Sequence, residues 1–212
     1  MLVGVPRITY DSQGTPGIWA GNPTEAYAGI GWLHGRHRPV QSLLLGAAGR
    51  GVLAEHLVPR RDLVALDALV HRLDLPELGR IEAGRLDGTT ADFLDAYLIG
   101  FRHGLSVGGM PLEFRVLLTR LPELDRGAVL SGMLLSAYLN LAQGQERMER
   151  ALVDALAAGA DPGLLEEMFR PHLEGWDPTR LAGLPRCTSQ GLAAHGFVGV
   201  AGSNAWAVDG TR

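Results

Sequence analysis

The sequence predicts an α+β chain that is mainly helical, with short strands near its two ends. Three observations carry this. Apolar residues recur at helical spacing through most of 22–169, β-branched runs are confined to about 3–20 and 196–208, and turn or cap residues sit at the junctions. With 212 residues, 46% of them hydrophobic and 20% charged, the chain can bury a sizeable core.

Val3 to Thr9, the turn chemistry of Asp11-Ser-Gln-Gly14, and Gly17-Ile-Trp-Ala20 read as a β-hairpin. Asn22-Pro23 is an N-cap with proline at the first helical position, so a helix begins there. Pro39 lacks an amide donor and breaks that helix near Arg36 to Arg38, and a second continues towards Leu57. The segment 61–73 carries apolar side chains at 63, 66, 69, 70 and 73, one face of a helix. Thr90 to Leu105 repeats the pattern, with Thr89 or Thr90 as cap. Gly127 to Leu141, apolar nearly all round, reads as a central buried helix. Glu146 to Ala158 is amphipathic, and Asp161-Pro162 caps a helix to about Phe169. From Arg170 to Ala194, Pro, Gly, Trp and Thr with weak periodicity predict an extended surface linker. Gly196 to Ala201 and Asn204 to Val208 read as strand, followed by Asp209-Gly210, a type I′ hairpin signal. A hairpin needs a second strand of about five residues, so the expectation is that this is the front part of a longer protein.

Composition removes several chemistries. All 19 basic residues are Arg, so no lysine can form a Schiff base or hold P-loop phosphates. The single cysteine, Cys187, excludes an internal disulfide, a multi-Cys zinc site and an iron–sulfur cluster. A net charge of -4 gives no reason to expect nucleic acid as partner. The two long stretches without Asp, Glu or Arg, 127–145 and 187–208, contain too many Asn, Gln, Ser and Gly to predict a membrane span. The first residues lack the pattern of an export signal, and localisation stays open. No organic cofactor is expected.

Local motifs leave alternatives open. Gly199-Val-Ala-Gly202-Ser203-Asn204 lacks the helix and lysine of a phosphate loop, and does not match Gly-x-Ser-x-Gly. On its own it reads as a buried strand whose glycines permit close packing. His34 and His37 share a helix face without a third metal ligand nearby and read as a solvated basic elbow. His195 precedes Ser203 by eight residues, with no support for a pair in space. Asp87, Asp92, Asp95 and Glu113 read as caps or solvated carboxylates.

Three separated segments nevertheless resemble one family. Gly202-Ser203-Asn204-Ala205-Trp206-Ala207-Val208 with Asp-Gly-Thr-Arg is similar to the junction at which penicillin acylase-type N-terminal nucleophile hydrolases are cut before a serine. Asp11 to Ala20, Gly31 to Gln41 and Gly51 to Glu55 resemble the family's opening pattern, in order. Gly104 to Val107, Met110-Pro111-Leu-Glu113-Phe114, and Leu139-Asn140 with Glu146 resemble its middle blocks. The chain departs at Gly17, where the family commonly has histidine, at His37 (aspartate), Ser42 (methionine) and Ser106 (asparagine).

The resemblance implies the helical part of an αββα sandwich: residues 1–170 a helical domain with N-terminal strands, 171–202 a spacer, and 203–212 the start of a larger β-chain. It implies autocleavage between Gly202 and Ser203, with Ser203 as catalytic nucleophile of a two-chain amide hydrolase for N-acyl substrates such as β-lactam side chains or acyl-homoserine lactones. Ser136 and Asn140 would line the acyl pocket. Glu146 would give one carboxylate to a structural calcium ion, although by itself it also reads as a solvated helix carboxylate. The partner would be the protein's own β-chain, and residues 1–212 alone would not turn over substrate, because the oxyanion donors of this family lie later in the chain. The competing expectation is a noncatalytic helical module that binds a protein partner through apolar faces.

Overall fold

The computed structural model describes residues 6–169 together with Asp177 and Arg180; for 141–147 it describes the backbone alone. Strands β1 (Arg7–Tyr10) and β2 (Pro16–Trp19) pair antiparallel, Ile8 opposite Ile18. The Asp11 carboxylate accepts from Gln13 N at 2.9 Å and Thr15 N at 2.8 Å, closing the turn as the sequence predicts. Ten helices follow among the described residues. The first eight are α1 (Pro23–His37), α2 (Pro39–Arg50), α3 (Leu53–His56), α4 (Arg61–Arg72), α5 (Leu75–Arg85), α6 (Gly88–Gly108), α7 (Leu112–Val116) and α8 (Arg126–Ala137). A π-helical turn, Tyr138–Ala142, then leads to α9 (Gln143–Ala157) and α10 (Pro162–Met168). The linker and strands expected beyond Phe169, and the hairpin signal at Asp209-Gly210, lie outside the described residues.

Local chemistry sets the helix ends. Asn22 Oδ1 accepts from Glu25 N at 2.9 Å, and Glu25 reaches back to Gly21 N at 2.7 Å, so α1 starts with two backbone donors satisfied. Pro39 separates α1 from α2 as expected. Asp87 caps α6, not Thr89 or Thr90: its carboxylate accepts from Thr90 N at 3.0 Å and Thr90 Oγ1 at 2.6 Å. The ionised acceptor displaces the hydroxyl from that role. The helix expected over 127–141 is likewise modified. It changes to π geometry at Tyr138, and Met133 is exposed, so only the face with Ala128, Ser131, Gly132 and Leu135 is buried.

Residues Met1–Ser136 and Ala137–Arg212 form two compact units. In the first, α1 and α6 lie backbone against backbone. A Cβ added at Gly31 would fall on the Tyr97 carbonyl oxygen, at Gly35 on that of Phe101, at Gly100 on that of Ala28 and at Gly104 on that of Trp32. The paired positions rise together along both helices, so they run parallel. Leu43, Leu98, Phe101, Phe114, Leu124 and Ala128 make the adjoining core. Opposite, Gly49 of α2 meets the backbone at Ser131 and Gly132 of α8, and Gly79 of α5 sits over the Ser131 side chain. In the second unit, Leu152 of α9 and Leu165 of α10 are buried together with Met148, Leu156 and Phe169 packed around them.

The close crossing makes a sharp prediction. Gly100→Ala forces a methyl group onto a carbonyl and should cost about 3 kcal/mol. Gly84→Ala, on α5 with nothing within 4 Å of the added carbon, should gain about 0.5–1 kcal/mol through helix propensity. Urea denaturation of the two variants measures both.

Candidate functional site

Of the residues that resemble the family's opening pattern, Gly31 to Gln41 form the elbow between α1 and α2. His34 and His37, expected as a solvated pair, each meet a tyrosine. His37 Nε2 lies 2.8 Å from the Tyr10 hydroxyl, and His34 Nδ1 lies 3.0 Å from that of Tyr97. His34 and Tyr97 line a cleft of about 270 Å³ together with Gln41, Ser42, Leu45 and Met133. Burial, and after it the field of Arg38, lowers the His34 pKa below 6.5. Burial raises the Tyr97 phenol above 10.0, against a smaller opposing effect of a Ser42 hydrogen bond. Both groups are therefore neutral near pH 7, and the cleft presents polar but uncharged atoms. Ser42 Oγ donates to the Arg38 carbonyl at 3.2 Å, a back-bond within the helix and not the pairing of an activated nucleophile.

The other blocks have structural tasks that can be read directly. Gly51 terminates α2 in the left-handed region, φ 66°. The following α3 has its N-terminus held by Asp67, whose buried carboxylate accepts from Leu53 N at 3.1 Å and Ala54 N at 2.8 Å. Sequence reasoning missed Asp67. The available signal was a carboxylate four residues after Leu63 and three before Val70, inside the apolar face of the 61–73 helix. His71, one turn further, lies 3.1 Å through Nε2 from the Gly51 carbonyl. Met110 to Phe114 places Phe114, the buried residue of α7, into the core.

The carboxylates expected as caps or solvated groups divide. Asp87 is the α6 cap, whereas Asp95 accepts two hydrogen bonds from Arg126, 2.7 and 2.5 Å, tying α6 to α8. That arginine holds Asp95 below the usual carboxylate range, first through the hydrogen bonds and then through its charge. Asp125 pairs with Arg50 and caps Ala128 N at 2.8 Å, joining α2 to the start of α8.

Of the residues implied by the resemblance, Gly202 and Ser203 lie outside the described residues. Ser136 is half-buried in the last turn of α8, and Asn140 is exposed in the π-helical turn that follows. Glu146 is in the first turn of α9, with its side chain outside the described part. Among the described residues no three His, Cys, Asp or Glu side chains come together to hold a metal ion. Also among them, no helix is long and apolar enough to cross a membrane.

Comparisons with known proteins agree on one group. The family model described as penicillin amidase matches residues 6–212. Over 112 residues the chain is 30% identical to the penicillin acylase 2 proenzyme of Pseudomonas sp. (strain SE83), a match covering 52% of this chain and 14% of that protein. The chain thus spans a small part of that relative's length. Its fold is similar to the thermostable penicillin G acylase from Alcaligenes faecalis in its tetragonal form, with TM-score 0.59 and 19% identity, covering 77% of this chain and 90% of that one.

The His34 shift has a defined sign. A folded pKa below the unfolded value contributes stability that is complete above 6.5 and is lost as pH falls towards the folded value. The urea midpoint of the unmodified chain should therefore drop more between about pH 7.5 and pH 5.5 than that of His34→Gln, in equilibrium denaturation series followed by circular dichroism.

Proposed function

The chain belongs to the penicillin amidase family, and on that footing we propose that it is the helical part of a self-processing amide hydrolase whose nucleophile is Ser203. The observation carrying this reading is that the family match runs to residue 212 and so takes in Gly202-Ser203-Asn204. A relative named as a proenzyme supports maturation by cleavage.

The chemistry follows from the residue types. Ser203 Oγ attacks the Gly202 carbonyl, the peptide C–N bond breaks, and the Ser203 nitrogen takes up a proton as an ester forms. Water hydrolyses that ester, leaving a Gly202 carboxylate and Ser203 as a new N-terminus. Glycine at 202 adds no bulk beside the attacked carbon and tolerates a strained backbone. The freed α-amino group, with a reference pKa of about 7.7–8.0, is then a base for its own hydroxyl through a water molecule. An N-acyl substrate acylates Ser203, an amine departs, and water releases a carboxylic acid.

Before cleavage the Ser203 nitrogen is an amide without a basic lone pair, so the uncut chain cannot use this mechanism. Oxyanion donors, worth about 2.7–4 kcal/mol each, would come from the larger chain that Ser203 begins. Ser136 and Asn140 are proposed to contact the acyl group, and Glu146 a structural calcium ion. The substrate class is an N-acyl amide, such as a β-lactam side chain or an acyl-homoserine lactone.

In the complete protein Ser203→Ala should leave a single uncut polypeptide and lower amide hydrolysis at least about a thousandfold. Gel electrophoresis with a chromogenic N-acyl amide assay tests this, and normal maturation of the variant would overturn it.

A further inference from the structure

A cavity of about 400 Å³ is lined by residues of α2, α6, α7 and the connection before α8. That volume lies within the range of small-molecule sites. Its walls include Leu43, Phe101, Phe114 and Leu124, four members of the main core, so the space is a partly open cleft whose floor is the core itself. Leu105 and Leu121 extend the apolar lining. An apolar space of this kind is poorly suited to water and well suited to a hydrocarbon.

The lining also carries charge. Arg102 and Arg120, both exposed, belong to the lining, with Glu123 as its one acidic residue. Among the described residues Arg120 makes no hydrogen bond or ion pair, and Arg102 acts on Asp95 only through its field. Glu123 is tied in through its backbone, its carbonyl accepting from Arg50 at 3.4 Å. The C-terminal end of α6 also reaches this region; its partial negative charge opposes an anion, and the two guanidinium groups have to outweigh it. Two arginines beside a hydrocarbon-lined space leave a positive excess there.

We propose that this cavity binds an amphipathic carboxylate, an aliphatic acid whose tail occupies the space beside Phe114 while its carboxylate is held by Arg102 and Arg120. The site does not depend on Ser203, and binding is unchanged by Ser203→Ala, so failure here and failure of the proposed activity are separate results.

Isothermal titration of octanoate into the complete protein tests it. One saturable site is expected, and hexanoate should bind about fifteenfold more weakly, from roughly fourfold per methylene withdrawn from an apolar space. The double variant Arg102→Gln/Arg120→Gln should weaken octanoate about tenfold and leave octanol within about twofold. Ser106→Trp, which adds an indole to the lining from α6, should abolish binding of both in a protein whose circular dichroism is unchanged. Non-saturating uptake of octanoate, no loss on going to hexanoate, or an equal loss of octanoate and octanol in the arginine variant would each overturn the proposal. The chain-length series uses the unmodified protein and decides the matter even if a variant fails to fold.

Discussion

The contact on which the Met1–Ser136 unit depends is the one between α1 and α6, where four glycines bring two helix backbones together. Each glycine places a Cα–H where any other residue would place a carbon, and opposite each stands a carbonyl oxygen of the other helix. Such Cα–H···O contacts are weak singly, but here they repeat at every turn and admit dense packing on both sides. The requirement is steric and therefore strict. It also sets what surrounds it: Gly29, on another side of α1, lies against Ile18 of β2, so the hairpin is positioned by the same helix. Towards the C-terminal end of α1, the crossing holds Tyr97 beside His34 and the Trp32 carbonyl beside Gly104.

Around this pair, carboxylates close the joints. Asp67 satisfies the start of α3 from α4, Asp125 the start of α8 while holding Arg50 of α2, and Asp95 binds Arg126 across from α6. Each settles backbone donors or a guanidinium that would otherwise be left exposed or unpaired at a helix junction. Ser131 is the exception. Its hydroxyl is buried under Gly79 without a hydrogen-bond partner among the described residues. Small size explains the residue there better than polarity does, since α5 and α8 approach too closely at that point for a larger side chain.

Where local chemistry decides structure, the sequence was legible: the hairpin, the Asn22-Pro23 start, the Pro39 break and the Asp161-Pro162 cap need only neighbouring residues. It was less so where distant residues decide. The helix α5 has no glycine or helix-initiating gap before it; Asp74 enters the left-handed region, φ 56°, and accomplishes the turn that a reader expects from glycine. The short α7 has a single buried residue, Phe114, too few for a periodic signal. His34 and His37 found tyrosines 63 and 27 residues away, contacts that no local pattern announces. The glycines of α1 and α6 were visible as letters, but their pairing exists only in the folded chain. For the candidate site, 202–208 lies outside the described residues, while most of the other resembling blocks build the frame.

The family match covers residues 6–212 and takes in the Gly202-Ser203-Asn204 sequence on which the proposed activity rests. The most direct measurement is intact mass with N-terminal sequencing of the complete protein from its native source. The account predicts a second, larger polypeptide whose first residue is Ser203. A single uncut polypeptide that hydrolyses N-acyl amides would contradict it.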